Sequence, residues 1–322
     1  MAETLLEVKN LKTYFYTTKG VVKAVDGVSF KLNKGEVLGI AGESGCGKST
    51  TAYSLIRLVP PPGKIVDGQL IFEGRDILKL SEEDFRKQIR WKKISMVFQG
   101  AMNALNPVYT IGDQIAEVLM LHKHMSKEEA MKEVYKLLEM VGIDPKRAKS
   151  YPHELSGGMK QRVVIAMALA LRPPLVIADE PTTALDVVVQ AQIMNLLKKL
   201  QREHQMSIIL ITHDLSLIAE MAEKVAIMYA GKIVEYGTAE QVFLNPQHPY
   251  TRGLLASIPR LTGDIHKLEF IPGVPPDLSN PPPGCRFAPR CKFKFEPCDK
   301  EEPPVMEIEP GHYVSCWLHA KK

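Results

Sequence analysis

The chain has 322 residues, 45% of them hydrophobic, with 41 Lys and Arg against 37 Asp and Glu for a formal net charge of +4. That length suits one large domain with an appendage, and the apolar share is enough for a real core. The mild positive excess is too small to argue for nucleic acid, although it suits a surface facing anionic lipid.

The N-terminus, MAETLLEVKN, has no basic region followed by an apolar one, so no secretory signal is read and a cytosolic chain is expected. Apolar runs such as Val163 to Leu171 fall far short of the roughly 20 residues that span a bilayer. Glu7-Val8-Lys9 and Val28-Ser29-Phe30-Lys31-Leu32 alternate, which predicts half-buried antiparallel strands. Val37-Leu38-Gly39-Ile40-Ala41 is continuous and apolar, as in a buried parallel strand. It feeds Gly42-Glu43-Ser44-Gly45-Cys46-Gly47-Lys48-Ser49, a G-x-x-x-x-G-K-S pattern placed directly before the helical stretch Thr50 to Leu58.

The chemistry of that loop follows from its residues. Glycines let backbone N–H groups wrap a phosphate, and the helix N-terminus adds positive potential. Lys48 is expected to reach the β- and γ-phosphates of a nucleotide, with the Ser49 hydroxyl on Mg²⁺. Cys46 reads as a small loop filler, or as a thiol made acidic by the helix end.

A strand from Ile94 to Phe98 ends at Gln99, and the stretch from there to Ser156 is helical in character. Ser126 and Glu129 form a capping box, followed by an apolar face of Met131, Val134, Leu138 and Val141 that ends near Gly142. In Leu155-Ser156-Gly157-Gly158-Met159-Lys160-Gln161-Arg162, Ser156 caps a further helix, Gly157 and Gly158 permit close backbone approach, and the helix end can bind an anion. Asp179 and Glu180 emerge where strand Leu175 to Ala178 ends, the sheet edge that holds ligands in α/β folds. Further apolar runs, Ile208 to Ile211 and Val225 to Met228, complete a parallel α/β core.

Beyond about residue 259 the chain is proline-rich and loop-like, a small irregular module in need of a staple. Four of the five cysteines lie there, spaced C-x5-C-x6-C-x17-C as Cys285, Cys291, Cys298 and Cys316. In a cytosolic chain such clustering favours metal over disulfides. The spacing matches no common zinc ribbon or ferredoxin run; four thiolates suit Zn²⁺ or a [4Fe–4S] cluster, the longer spacings favour the larger object, and unligated thiols stay open.

Leu155 to Arg162 resembles the signature sequence of the ABC ATPase family, and the motif order matches. Met159 stands where Gln is usual. Tyr151-Pro152-His153-Glu154-Leu155, Asn245 to Thr251 and Gly284-Cys285-Arg286-Phe287 resemble the dipeptide/oligopeptide importer ATP-binding subunits, whose branch includes nickel importers. The resemblance implies an α/β fold: a P-loop (RecA-like) ABC ATPase core over residues 1–259, with an antiparallel β-subdomain and an inserted helical subdomain at about 100–158. A small irregular cysteine-rich extension over 260–322 completes it.

The same resemblance implies the remaining roles. ATP and Mg²⁺ are held by Gly42, Ser44, Gly45, Cys46, Gly47, Lys48, Ser49 and Thr50. Asp179 and Gln99 join Ser49 at the metal. Glu180 polarises the attacking water, with Gln99 as the hinge to the helical subdomain and His213, before Asp214, as the switch. Ser156, Gly157 and Gly158 meet the γ-phosphate of an opposite ATPase subunit, identical or paralogous, and Ala184-Leu185-Asp186 forms the D-loop. Phe15 stacks on adenine, with Tyr14 and Tyr16 as rivals. The cysteines carry a [4Fe–4S] cluster, zinc being the alternative, ringed by Arg286, Arg290, Lys292 and Lys294 and remote from hydrolysis.

Transmembrane permeases and an extracytoplasmic substrate-binding protein are the implied partners, with the chain peripheral on the cytoplasmic face of the membrane and no nucleic acid bound. DNA-repair or translation ATPases of the family are disfavoured by the lack of coiled-coil insertions or a second fused domain. A GTPase or kinase is disfavoured by the lack of Asn-Lys-x-Asp.

Overall fold

The computed structural model describes residues 3–100, 103–257 and 270–320. In chain order the first elements are β1 (Thr4–Thr17), β2 (Gly20–Asn33), β3 (Val37–Ala41), α1 (Lys48–Leu55), β4 (Gly63–Phe72), β5 (Arg75–Asp76) and α2 (Glu82–Gln88). Then come β6 (Ile94–Val97), α3 (Ile111–Lys123), α4 (Lys127–Met140), α5 (Gly157–Leu169), β7 (Leu175–Asp179) and α6 (Val187–His204). The last are β8 (Ser207–Ile211), α7 (Leu215–Met221), β9 (Lys224–Tyr229), β10 (Lys232–Thr238), α8 (Ala239–Leu244), α9 (Pro249–Ala256), β11 (Val305–Glu309) and β12 (His312–Ser315). These divide into two compact units, one of 33–36 and 77–210 with Glu3, the other of 4–32, 37–76 and 211 onward.

The second unit contains the order β2-β1-β4-β5, in which β4 is antiparallel to both β1 and β5. Alternation drives it: Val28, Phe30 and Leu32 are buried, while Ser29 and Lys31 between them are exposed. Its other strands run β11-β12-β10-β9-β3, with β3 parallel to β9 and the outer pairs antiparallel. All five residues of β3 are buried, as its unbroken apolar run requires. Helix α1 stops at Leu55, short of Leu58, because Arg57 turns left-handed (φ 53°) ahead of three prolines.

The C-terminal segment differs from the irregular module its prolines suggest. Residues 270–304 hold no longer element than a short turn of 3₁₀-helix at Ala288–Arg290, yet β11 and β12 form a hairpin that adds to β10, with Val314 opposite Glu235. Buried His312 Nε2 meets Glu235 Oε1 at 2.8 Å. Tyr229, Tyr250 and Phe287 cluster with ring centroids 4.6–5.4 Å apart. Sheet addition and aromatic packing thus anchor the segment, so a metal is not its sole fastening. The expected boundary at 259/260 falls outside the described residues.

The first unit holds the order β8-β7-β6, with β6 and β7 parallel, together with helices α2 to α6. The Ser126–Glu129 capping box opens α4. The buried face of α4 centres on Ala130, Val134, Leu137 and Leu138, whereas Met131 is only half-buried. A 3.6-residue period places 130, 134, 137 and 141 on one stripe and swings 131 to its rim. Among the described residues no helix is long and apolar enough to cross a membrane.

Candidate nucleotide site

The phosphate loop lies between β3 and α1. Gly42, Gly45 and Gly47 have φ of 151°, 77° and 107°, where side chains are strained. At two of them space forbids a side chain as well: a Cβ on Gly42 would stand 2.1 Å from the Met228 carbonyl, and one on Gly47 2.2 Å from that of Ala24. Buried Lys48 curls into the loop, donating to the Gly42 carbonyl at 2.7 Å and the Glu43 carbonyl at 3.0 Å. No side chain caps α1 and no acid stands in its first turn, so the dipole and N–H groups at Ser49 and Thr50 face no competing carboxylate of their own helix. Ser44 and Gly45 are exposed at the tip. Cys46 is buried, and burial raises its thiol pKa despite neighbouring Lys48. The acidic-thiol reading therefore fails, since desolvation outweighs the helix end.

In the other unit, Asp179 closes β7 fully buried and Glu180 follows with a left-handed φ of 46°. Such a backbone is costly for a non-glycine residue and recurs at functional sites. Gln99 Nε2 donates to Glu180 Oε2 at 2.8 Å, and the Thr183 hydroxyl donates to the same oxygen at 2.8 Å. The Gln99–Glu180 proximity is thus direct, and Thr183 is a participant that sequence reasoning missed, since a threonine in a turn carries no signal of its own. Ser156 caps α5 by accepting from the Met159 N–H, leaving the hydroxyl exposed at the helix end. Beside Gly157, Gly158 leaves no room for a Cβ, which would stand 2.6 Å from the Val189 side chain. Asp186 caps α6 through the Val189 N–H at 2.9 Å, a structural duty that its motif does not reveal.

His213 is exposed after β8, and Asp214 caps α7 through the Ser216 N–H. Of the three N-terminal aromatics, Tyr14 is committed to Asp26 Oδ1 by its hydroxyl at 2.7 Å. Phe15 is half-buried against Gly63, while Tyr16 is exposed.

The four C-terminal cysteines are free thiols. Cys285 and Cys291 bracket one tight turn, and the Cys285 N–H bonds the Cys298 carbonyl at 2.8 Å. Burial pushes the Cys285 and Cys316 thiols up to about 11 and Cys291 upward, against the pull of backbone N–H groups of Phe287, Ala288, Phe293 and Leu318 on the sulfurs. Among the described residues no three His, Cys, Asp or Glu side chains gather closely enough to hold a metal ion. Three of the four cations expected to ring such a cluster are paired with carboxylates instead. Arg286 pairs with Asp26 and the Ala230 carbonyl, Lys294 with Asp299, and Arg290 with Glu43 of the phosphate loop. These guanidinium groups turn to carboxylates in their own unit because a buried cation needs a partner. The extension is therefore not remote from the nucleotide loop, whatever its distance in sequence.

Residues 25–183 match the ABC transporter family, and 234–298 match the oligopeptide/dipeptide transporter C-terminal region. The chain is 52% identical over 323 residues to the dipeptide transport ATP-binding protein DppD of Bacillus subtilis, spanning 99% of this chain and 96% of that one. It is 51% identical over 318 residues to the oligopeptide transport ATP-binding protein OppD of Escherichia coli, spanning 98% and 94%. Among solved structures, a dimeric ATP-binding cassette in a post-hydrolysis state with ADP and Pi aligns at TM-score 0.65 and 31% identity, over 73% of this chain and 99% of that one. With identity of this order across nearly its whole length, the chain belongs to the ABC transporter family, among the ATP-binding subunits of the dipeptide and oligopeptide branch, and is an ATPase.

Proposed function

We propose that the chain powers uptake of dipeptides or oligopeptides through partner transmembrane permeases, fed by an extracytoplasmic binding protein, from the cytoplasmic face of the membrane. The observation that carries this is that a chain about half identical to peptide-transport ATPases contains both a glycine-locked phosphate loop and, in its other unit, a fixed Gln99–Glu180–Thr183 group. Lys48 and the loop N–H groups bind the β- and γ-phosphates. The Ser49 hydroxyl, the Asp179 carboxylate and the Gln99 amide are hard oxygen donors of the kind that suit Mg²⁺, which when bound neutralises phosphate charge.

Glu180 polarises the attacking water. Gln99 and Thr183 hold the Oε2 carboxylate oxygen and so fix the orientation of the carboxylate toward that water, and His213 senses the γ-phosphate. Ser156, Gly157 and Gly158 present an anion-binding helix end to ATP on a second ATPase subunit, with Asp186 beside that junction. Phe15 or exposed Tyr16 stacks on adenine.

In donor chemistry alone the cysteines suit an iron–sulfur cluster, being four thiols outside any disulfide with backbone N–H groups on sulfur, but among the described residues no three of them gather as a metal site, so a cluster would have to draw them together. Such a cluster, or zinc in its place, would supply a cross-link between chain segments. Anaerobic preparation should give about four iron and four sulfide per chain. One zinc without iron would assign the site to zinc.

The transport reading is tested in proteoliposomes that hold the complete complex. Peptide should stimulate ATP hydrolysis and accumulate inside, and Glu180→Gln should stop both. Nickel accumulation without peptide uptake would move the chain to the nickel branch.

A further inference from the structure

Glu43 is a carboxylate inside a loop built to hold a polyanion. Left alone it would repel the phosphates, yet it is the most heavily tethered residue of the loop. Arg290 grips it with both terminal nitrogens, Nη1 to Oε2 at 2.7 Å and Nη2 to Oε1 at 3.0 Å. The same guanidinium donates to the Tyr229 hydroxyl at 3.2 Å and, through Nε, to the Pro272 carbonyl at 2.8 Å. It also lies 5.7 Å from the centre of the Tyr229 ring. The Glu43 backbone N–H is taken by the Tyr250 hydroxyl at 2.9 Å, and Tyr250 is wholly buried. Arg290 is itself buried, on the turn that Cys285 opens and Cys291 closes.

We infer that Arg290 is a positioning residue for ATP binding: it neutralises Glu43 and fixes the start of the phosphate loop, so that the C-terminal extension sets the loop's affinity for nucleotide. A fork-to-fork pair is geometrically rigid, and its partners give it no second orientation. The position of the carboxylate and its charge are thereby settled before ATP arrives, which is the condition for the loop N–H groups to bind without rearranging. Because Arg290 adjoins Cys291, a change in the thiol turn reaches the loop through one side chain.

The inference rests on the loop being the ATP site, so equilibrium binding of a fluorescent ATP analogue to the full-length wild-type chain comes first; absence of binding overturns both readings. With binding present, Arg290→Ala should weaken affinity about tenfold, or 1.4 kcal/mol. In a Glu43→Gln background the same change should cost less than threefold, because the charge it neutralises is gone. Steady-state hydrolysis should show the loss in KM, with kcat within about twofold. Arg290→Lys, which keeps a cation and packs similarly, should fall between wild type and Ala, and it serves if Ala does not fold. Equal losses from Arg290→Ala in both backgrounds, or wild-type affinity for Arg290→Ala or Arg290→Lys, would overturn the inference.

Discussion

The phosphate loop and the Glu180 turn are held by opposite means. The loop is backbone pressed on backbone, with Gly42 against the Met228 carbonyl, Gly47 against that of Ala24, and Lys48 closing the ring on two loop carbonyls. The Glu180 turn is held by side chains, Gln99 and Thr183 on one carboxylate oxygen and Asp186 on the next helix. A backbone-built site binds as a unit, whereas a side-chain-built site can be dismantled group by group. Substitutions in the first should therefore be read in affinity and those in the second in turnover.

The largest expected effect is at Glu180. Glu180→Gln keeps the shape and both donors' partner atoms nearby but removes the charge that polarises water. Turnover should fall by about 10² to 10³, the loss typical of one positioned catalytic group, with ATP affinity unchanged. Rapid-quench kinetics beside equilibrium binding measures both, and near-normal turnover would remove Glu180 from its role. Lys48→Ala is the mirror case. It deletes a charge-assisted contact worth roughly 1.5–3 kcal/mol, so ATP binding should weaken about ten- to a hundredfold. Full affinity in that variant would break the comparison at its binding end.

Legibility in the sequence divides along the same line. The loop could be read because its parts are consecutive: glycines, Lys48 and Ser49 lie within eight positions of a buried strand. The Gln99–Glu180 contact joins residues 81 apart, and Arg290–Glu43 joins residues 247 apart. No local period encodes either. The cysteines were visible as a spacing, but the arginines among them gave no sign of facing Asp26 and Glu43 rather than a metal. The β11–β12 hairpin was hidden by short strands between prolines, where two or three apolar residues per strand carry too little alternation to register.

A third effect touches only the unit with the loop. Burial, with His319 and Arg252 nearby, depresses the pKa of His248 from 6.5 to about 3. Its Nδ1 accepts the Tyr250 N–H and so caps the helix whose tyrosine holds Glu43, while its backbone N–H donates to Glu235 Oε2. The folded state therefore keeps His248 neutral where the unfolded chain takes up a proton. Its contribution is complete above pH 6.5 and is lost as pH falls toward 3. By pH 5 the loss should reach about 2 kcal/mol, at 1.36 kcal/mol per pH unit. Urea unfolding at pH 7 and pH 5 measures it. His248→Asn, which can cap without titrating, should flatten that dependence; an unchanged slope would show that another group sets it.

The smallest effect is the most discriminating. Thr183→Val keeps volume and β-branching but removes the hydroxyl that donates to Glu180 Oε2. Gln99 still donates to the same atom, so the carboxylate is loosened rather than freed. A single hydrogen bond to a charged group contributes net stabilisation of about 1.5–3 kcal/mol when it is the only one, and less when a second donor remains. Turnover should accordingly fall about three- to tenfold, with ATP affinity within error of wild type. Gln99→Ala should behave alike in turnover, and the double variant should lose more than the product of the two, because the second removal takes the last restraint on one oxygen. A simple product would mean that the two donors act on different states of Glu180. A loss confined to ATP affinity would mean that this turn, too, works as part of the binding surface, and the division between the two sites would fail there.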